Sequence, residues 1–170
     1  MDTAQYFFTN SAGDDYALEI SRIKKGFLSD ETYQMLSERD IEVWDIILIR
    51  QGWKLRKTPL YVLSDISRCI ADFFLTHQHA MLYFQCDDLE DVPMSNAKRA
   101  EGLSVQAYRS RLFSRMFDRQ VKSIVGLPVV NVPIYFEACG NGVYLHVMTQ
   151  EKFIPYIEVI RQDVTECYSK

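Results

Sequence analysis

The sequence predicts a single α+β domain built on a mixed, mostly antiparallel sheet, and three observations lead there. Apolar β-rich runs lie near both ends of the chain, each pair separated by a glycine-bearing turn, as in hairpins. Between them, strand-like and helix-like segments alternate, and three of the helices are long enough to cover a sheet. At 170 residues, 48% of them hydrophobic and 13% aromatic, the chain can bury roughly two thirds of its unfolded surface without disulfides or metal. No repeat, linker or low-complexity tract divides it, so residues 1–170 read as one domain.

The N-terminal hairpin is expected from Tyr6–Thr9 and Tyr16–Ile23, flanking Ser11-Ala-Gly-Asp-Asp, where Gly13 suits a bulged turn. Ser29 can cap a short helix running to Glu38, with Tyr33 and Leu36 as its apolar contacts. Val43–Arg50 reads as a third, buried strand. A basic loop, Trp53–Lys57, follows Gly52, and Thr58-Pro59 then suits a helix cap with proline in the first helical position. Leu63, Ile66, Ile70, Phe73 and Phe74 recur at helical spacing through His77, marking the central helix. Met81–Cys86 is an apolar strand, and a charged connection runs from Asp87 to Gly102.

The next helix, from Ser104 through Arg119, carries the sharpest charge pattern. Helical spacing sets Val105, Tyr108, Leu112, Phe113, Met116 and Phe117 on one stripe and Arg111, Arg115, Arg119 and Lys122 on the other. Arg109 points into the apolar stripe, so it needs a carboxylate or a bound anion. Val130–Glu137 and Val143–Gln150 form a second hairpin, expected to turn on Asn141-Gly142. That turn would set Cys139 opposite Tyr144 and Glu137 opposite His146. A last helix starting near Pro155 would bury Ile157, Ile160 and Val164.

Charge is segregated. The whole chain carries −4, yet residues 98–122 hold seven basic residues against two acidic ones, a local +5 that leaves −9 elsewhere. Such a division either steers an anionic ligand or acidic protein partner or is a solvated helix face. An acidic total argues against general nucleic-acid coating, which rests on phosphate neutralisation. Cys69, Cys86, Cys139 and Cys167 are widely spaced, in the manner of free intracellular thiols. The opening Met-Asp-Thr-Ala-Gln lacks the features of a secretory leader, and no apolar run approaches the ~20 residues of a membrane span. A cytoplasmic location and no membrane association are therefore expected.

Three constellations could carry chemistry. Glu137 beside His146 would be either acid/base equipment or a cross-strand pair that only supports the hairpin, by a few tenths to ~1 kcal/mol. Arg109 would either close a buried ion pair with Asp87 or Asp88 or anchor an anionic ligand near a helix N-terminus. Arg50, Lys54, Arg56 and Lys57 cluster where a loop feeds the central helix, a position suited to phosphate, although Gly52 alone lacks the glycine density of a P-loop. No metal site is expected: neither Cys-x-x-Cys nor His-Glu-x-x-His spacing occurs. The face bearing Tyr135, Tyr144 and Met148 could serve a homodimer.

The order hairpin, strand, helix, strand, helix, hairpin over Val43 to Met148 resembles the core of the GNAT N-acyltransferase superfamily. In that family a basic or glycine-rich loop after the fourth strand binds the acyl-CoA pyrophosphate. An Ala-x-x-x-Tyr-x-x-x-Gly-Phe pattern then often supplies a tyrosine acid. The matching run here is Ala107-Tyr-Arg-Ser-Arg-Leu-Phe-Ser-Arg-Met-Phe, where Met116 replaces the glycine and Leu112, or Phe113 after a one-residue shift, replaces the tyrosine. The resemblance implies that acetyl-CoA or another acyl-CoA is the cofactor, that Arg50, Lys54, Arg56 and Lys57 hold its pyrophosphate, and that Glu137 or His146 removes the amine proton. It also implies a cleft between the third and fourth strands. Gln85-Cys-Asp-Asp with Ala107-Tyr-Arg-Ser-Arg-Leu-Phe resembles small bacterial proteins without assigned activity. Because the motif positions hold no proton donor, binding is the leading expectation. The chain is read as a module without cofactor that engages an acidic protein or anionic small molecule through Arg111, Arg115, Arg119 and Lys122 together with the loop from Arg50 to Lys57.

Overall fold

The computed structural model describes residues 3–23, 27–51, 59–86, 101–121, 123, 126, 128–138 and 140–168. In chain order the elements are β1 (Thr3–Thr9), β2 (Asp15–Arg22), α1 (Asp30–Glu38), β3 (Glu42–Gln51), α2 (Leu60–Thr76) and β4 (Ala80–Cys86). Next come α3 (Val105–Met116), which runs on as a π-helical segment (Phe117–Val121), then β5 (Val129–Ala138), β6 (Asn141–Gln150) and α4 (Ile154–Tyr168). The sheet order is β1-β2-β3-β4-β6-β5. Every neighbouring pair is antiparallel except β3 and β4, which α2 joins as a crossover. This is the expected α+β architecture.

Alternation along the strands sorts side chains to two cores, one on each face. On one face Leu18, Ile20, Trp44, Ile46, Leu82 and Met148 meet Ile66, Ile70, Phe73 and Phe74 of α2 and Phe113 and Phe117 of the α3 segment. On the other, Met81, Tyr83, Leu145 and Val147 pack with Leu36 of α1 and Ile157, Ile160 and Val164 of α4. The helix stripes expected for α2 and α4 are those observed. Ser29 caps α1 by accepting from the Thr32 amide at 3.2 Å.

Two local expectations need correction. Pro59 is the N-cap of α2 (φ −62°, ψ 149°) rather than its first helical residue. Its carbonyl accepts from the Val62 amide at 3.1 Å, and an extended ψ is what a cap residue needs. Thr58 lies outside the described residues.

The second correction concerns the C-terminal hairpin. β5 ends at Ala138 and β6 begins at Asn141, with Gly140 left-handed at φ 79°, so Glu137 faces Gly142 and His146 faces Pro133. The expected Asn141-Gly142 turn would leave residues 129–132 unpaired on β6, whereas the observed one gives ten consecutive pairs from Val129–Gln150 to Ala138–Asn141. Gly142 serves the ladder instead: a Cβ there would stand 3.0 Å from the Tyr135 ring.

At the opposite end of the sheet, the β1–β2 turn is clasped by its own side chains. Asn10 Oδ1 accepts from the Ala12 and Asp14 amides, each at 2.9 Å, and Asn10 Nδ2 donates to Asp14 Oδ2 at 2.8 Å. Arg50, at the far end of β3, meets the same Asp14 oxygen at 3.3 Å, and both side chains are only 8% exposed. Its guanidinium also lies 5.7 Å from the ring of Tyr16, its cross-strand partner. Removing one member of a buried pair takes from the other the charge that offsets its burial. Asp14→Ala should therefore lower unfolding free energy by ~3 to 5 kcal/mol in urea denaturation, and Asp14→Ala combined with Arg50→Met should recover most of that loss.

Candidate functional site

α3 starts at Ser104, whose hydroxyl accepts from the Ala107 amide at 3.1 Å, and it lies across β4, β6 and β5. Its buried face is Ala107, Ser110, Phe113 and Met116, with Phe117 following in the π segment. Relative to the expected stripe the helix is rotated: Val105, Tyr108 and Leu112 are only half-buried, and two small residues take the sheet side. Apolar periodicity gives no weight to a serine, and here a serine is what touches the sheet.

The contact is Ser110 to His146. His146 is wholly buried, with Nε2 2.9 Å from Ser110 Oγ and Nδ1 2.9 Å from Asn131 Oδ1. Asn131 Nδ2 donates to Ser114 Oγ at 3.3 Å, so Asn131 Oδ1 is the acceptor for the imidazole. Nδ1 therefore carries the proton, and Nε2 accepts from the Ser110 hydroxyl. Phe113 and Phe84 stand 4.9 and 6.3 Å from the ring. Burial pushes the His146 pKa down to about 4, which keeps it neutral at pH 7.

A serine, a histidine and an oriented amide are in the order of a nucleophile, a base and its positioner. So weak and enclosed a base suits a polar tie between α3 and the β5–β6 hairpin instead. Ser110, Ser114 and Asn131 escape sequence reasoning, since only the tertiary fold shows Ser110 and Asn131 meeting one imidazole and Ser114 holding Asn131.

With that face held inward, Arg111, Arg115 and Arg119 are exposed, and no ion pair forms on any of them among the described residues. Asp118 is the one acidic residue on Val105–Val121. Lys122 lies outside the described residues. Arg109 is half-buried beside Cys86, as its place on the helix implied. Burial lowers its pKa and raises that of the Cys86 thiol to about 12, while each group's charge offsets part of the other's shift. Asp87 and Asp88, the carboxylates expected near it, lie outside the described residues.

The other sequence-derived site residues are scattered. Arg50 is engaged with Asp14, at the far end of β3. Lys54, Arg56 and Lys57 fall outside the described residues. Glu137 is exposed near the hairpin tip and accepts from the Tyr135 hydroxyl at 3.3 Å. It stands four positions along β5 from Pro133, the partner of His146, or ~13 Å at strand rise, so the two do not form the expected pair. The proposed dimer face is likewise divided: Tyr135 is exposed, but Met148 is wholly buried.

A further feature lies at the parallel junction. β3 and β4 pair only from Glu42–Ala80 to Asp45–Tyr83. Beyond it, among the described residues, residues 46–51 of β3 pair with β2 alone, and residues 84–86 of β4 pair with β6 alone. Ile47, Leu48 and Ile49 are exposed on the unpaired stretch of β3.

Among the described residues no group of three or more His, Cys, Asp or Glu could hold a metal ion, and no helix is long and apolar enough to cross a membrane. His77 stacks on Phe73 at 4.1 Å, and His79 pairs with Asp40 at 3.0 Å. No protein-family model, curated protein or solved structure matches the chain.

The shift of His146 has a measurable consequence. A group neutral in the fold but protonated when unfolded contributes stability that is present above the unfolded pKa, near 6.5, and is lost as pH falls toward its folded value of about 4. Between those values stability should fall by up to ~1.4 kcal/mol per pH unit from this residue. In His146→Phe that component of the slope should vanish, as read by urea denaturation at a series of pH values.

Proposed function

We propose that the protein is a binding module that engages an acidic protein segment or an anionic ligand through the outer face of α3. The observation carrying this reading is that Arg111, Arg115 and Arg119 stand at intervals of four, exposed and without an ion pair among the described residues, on a helix whose other side is tied to the sheet. Three guanidiniums in a row present planar, bidentate donors that suit carboxylates, and such contacts strengthen where the partner excludes water. A net −9 outside residues 98–122 repels a non-specific polyanion from the rest of the surface and orients approach to this helix.

Replacing Arg111, Arg115 and Arg119 together by glutamate should leave the melting temperature within a few degrees of wild type, because none of the three packs inside. A fluorescent polyglutamate peptide should bind the wild-type protein at low salt, more weakly as salt rises, and the triple variant at least about tenfold more weakly. Equal binding by both would end this reading.

A second reading, an acyl-CoA-dependent N-acyltransferase of the GNAT type, is supported by one specific feature. The parallel strands β3 and β4 separate after Asp45 and Tyr83, where a pantetheine arm would lie, and the segment holding Lys54, Arg56 and Lys57 follows that strand. The Arg50–Asp14 pair and the enclosure of His146 weigh against the residue roles this reading implies. Acetyl-CoA at about 100 times its dissociation constant would add ~2.7 kcal/mol to stability, which a thermal-shift titration resolves. Absence of any shift at about 1 mM acetyl-CoA or CoA, on the same scale, would remove the enzyme reading and leave the basic helix untouched.

A further inference from the structure

We propose that β1 is a self-association site, at which two copies of this chain pair their edge strands antiparallel about Phe7 and so continue one six-stranded sheet into the other. The sheet has two edges, and they are guarded differently. β5 carries Pro133, which has no amide to donate and blunts strand addition. β1 reads Thr-Ala-Gln-Tyr-Phe-Phe-Thr, with no charge and no proline, and its outer side has no strand neighbour among the described residues. A run of that composition on an open edge is a template for another strand.

Its side chains point to a second copy as the occupant. Phe7 is 74% exposed, the most of any large apolar residue described. Register places Phe7 beside Ala17 and Ala17 beside Ile49, itself 44% exposed, so an apolar row runs inward from the edge. The acids on the same face stand one strand in from the edge, on β2, and each accepts a hydrogen bond from β1: Gln5 donates to Glu19 and Thr9 to Asp15, each at 2.7 Å. Antiparallel pairing about Phe7 sets Phe7 against its own copy, Tyr6 against Phe8 and Gln5 against Thr9. The Ile49–Ala17–Phe7 row then continues unbroken through the two-fold axis, and no charged residue of β1 opposes a like charge.

Sedimentation equilibrium of the intact protein between about 1 and 200 μM should show a reversible dimer, with Phe7→Lys raising the dissociation constant at least about 100-fold because it opposes two like charges. The substituted side chain is solvent-exposed, so circular dichroism and melting should be unchanged. In a Cys167→Ser background, Phe7→Cys should cross-link to its own copy on mild oxidation, since directly opposed strand residues come within disulfide reach, whereas Tyr135→Cys on the other edge should not. A wild-type protein that stays monomeric throughout, a dimer undiminished in Phe7→Lys, or cross-linking at Tyr135→Cys but not at Phe7→Cys would overturn the proposal.

Discussion

Four residue pairs, Glu42–Ala80 to Asp45–Tyr83, hold the two halves of this sheet together, and the rest of the molecule is arranged around them. On one side lie the antiparallel strands β1, β2 and β3; on the other lie β4, β6 and β5. A parallel ladder is stable when both of its faces are covered, and here both are. Ala80, Met81, Leu82 and Tyr83 are each at most 3% exposed, alternating between the core beneath α2 and α3 and the core beneath α1 and α4. The junction thus supplies apolar side chains to both layers, Ala80 and Leu82 to one and Met81 and Tyr83 to the other.

Coverage thins away from that centre, and the candidate surfaces lie where it thins. The outer half of β3 leaves β4 and exposes Ile47, Leu48 and Ile49, while the edge beyond it exposes Phe7. On the opposite half, α3 reaches the sheet through small residues and a polar tie. Phe113 and Phe117 supply the apolar attachment, and Ser110 on His146 fixes the rotation of the helix. An orientation fixed by a hydrogen bond inside a dry site is hard to change, because turning the helix would leave a buried imidazole nitrogen without a donor. The outward direction of Arg111, Arg115 and Arg119 follows from that inner contact.

Much of the fold was legible because apolar period is a strong local signal. The strands Tyr16–Ile23, Val43–Arg50 and Met81–Cys86, the α2 stripe ending in Phe73 and Phe74, and the buried Ile157, Ile160 and Val164 of α4 follow directly from spacing. The C-terminal hairpin shows where local signals stop. Asn141-Gly142 has the stronger turn chemistry, but the ladder gains two more pairs by turning two residues earlier, and Gly142 is then needed beneath the Tyr135 ring. Pairing summed over ten positions outweighs the preference of two.

The candidate site divides along the same line. Residue order alone determined that a helix near residue 110 has a cationic side and that Arg109 falls off it toward the interior, since both follow from 100° per residue. Only the folded chain decided that Arg50 is bound to an aspartate 36 residues earlier, that His146 meets Ser110 and Asn131 instead of Glu137, and that the central strands part after four pairs. Those contacts join positions remote in sequence. Their energies depend on which polar groups are left dry together, a property of the assembled layers that no short window of sequence contains.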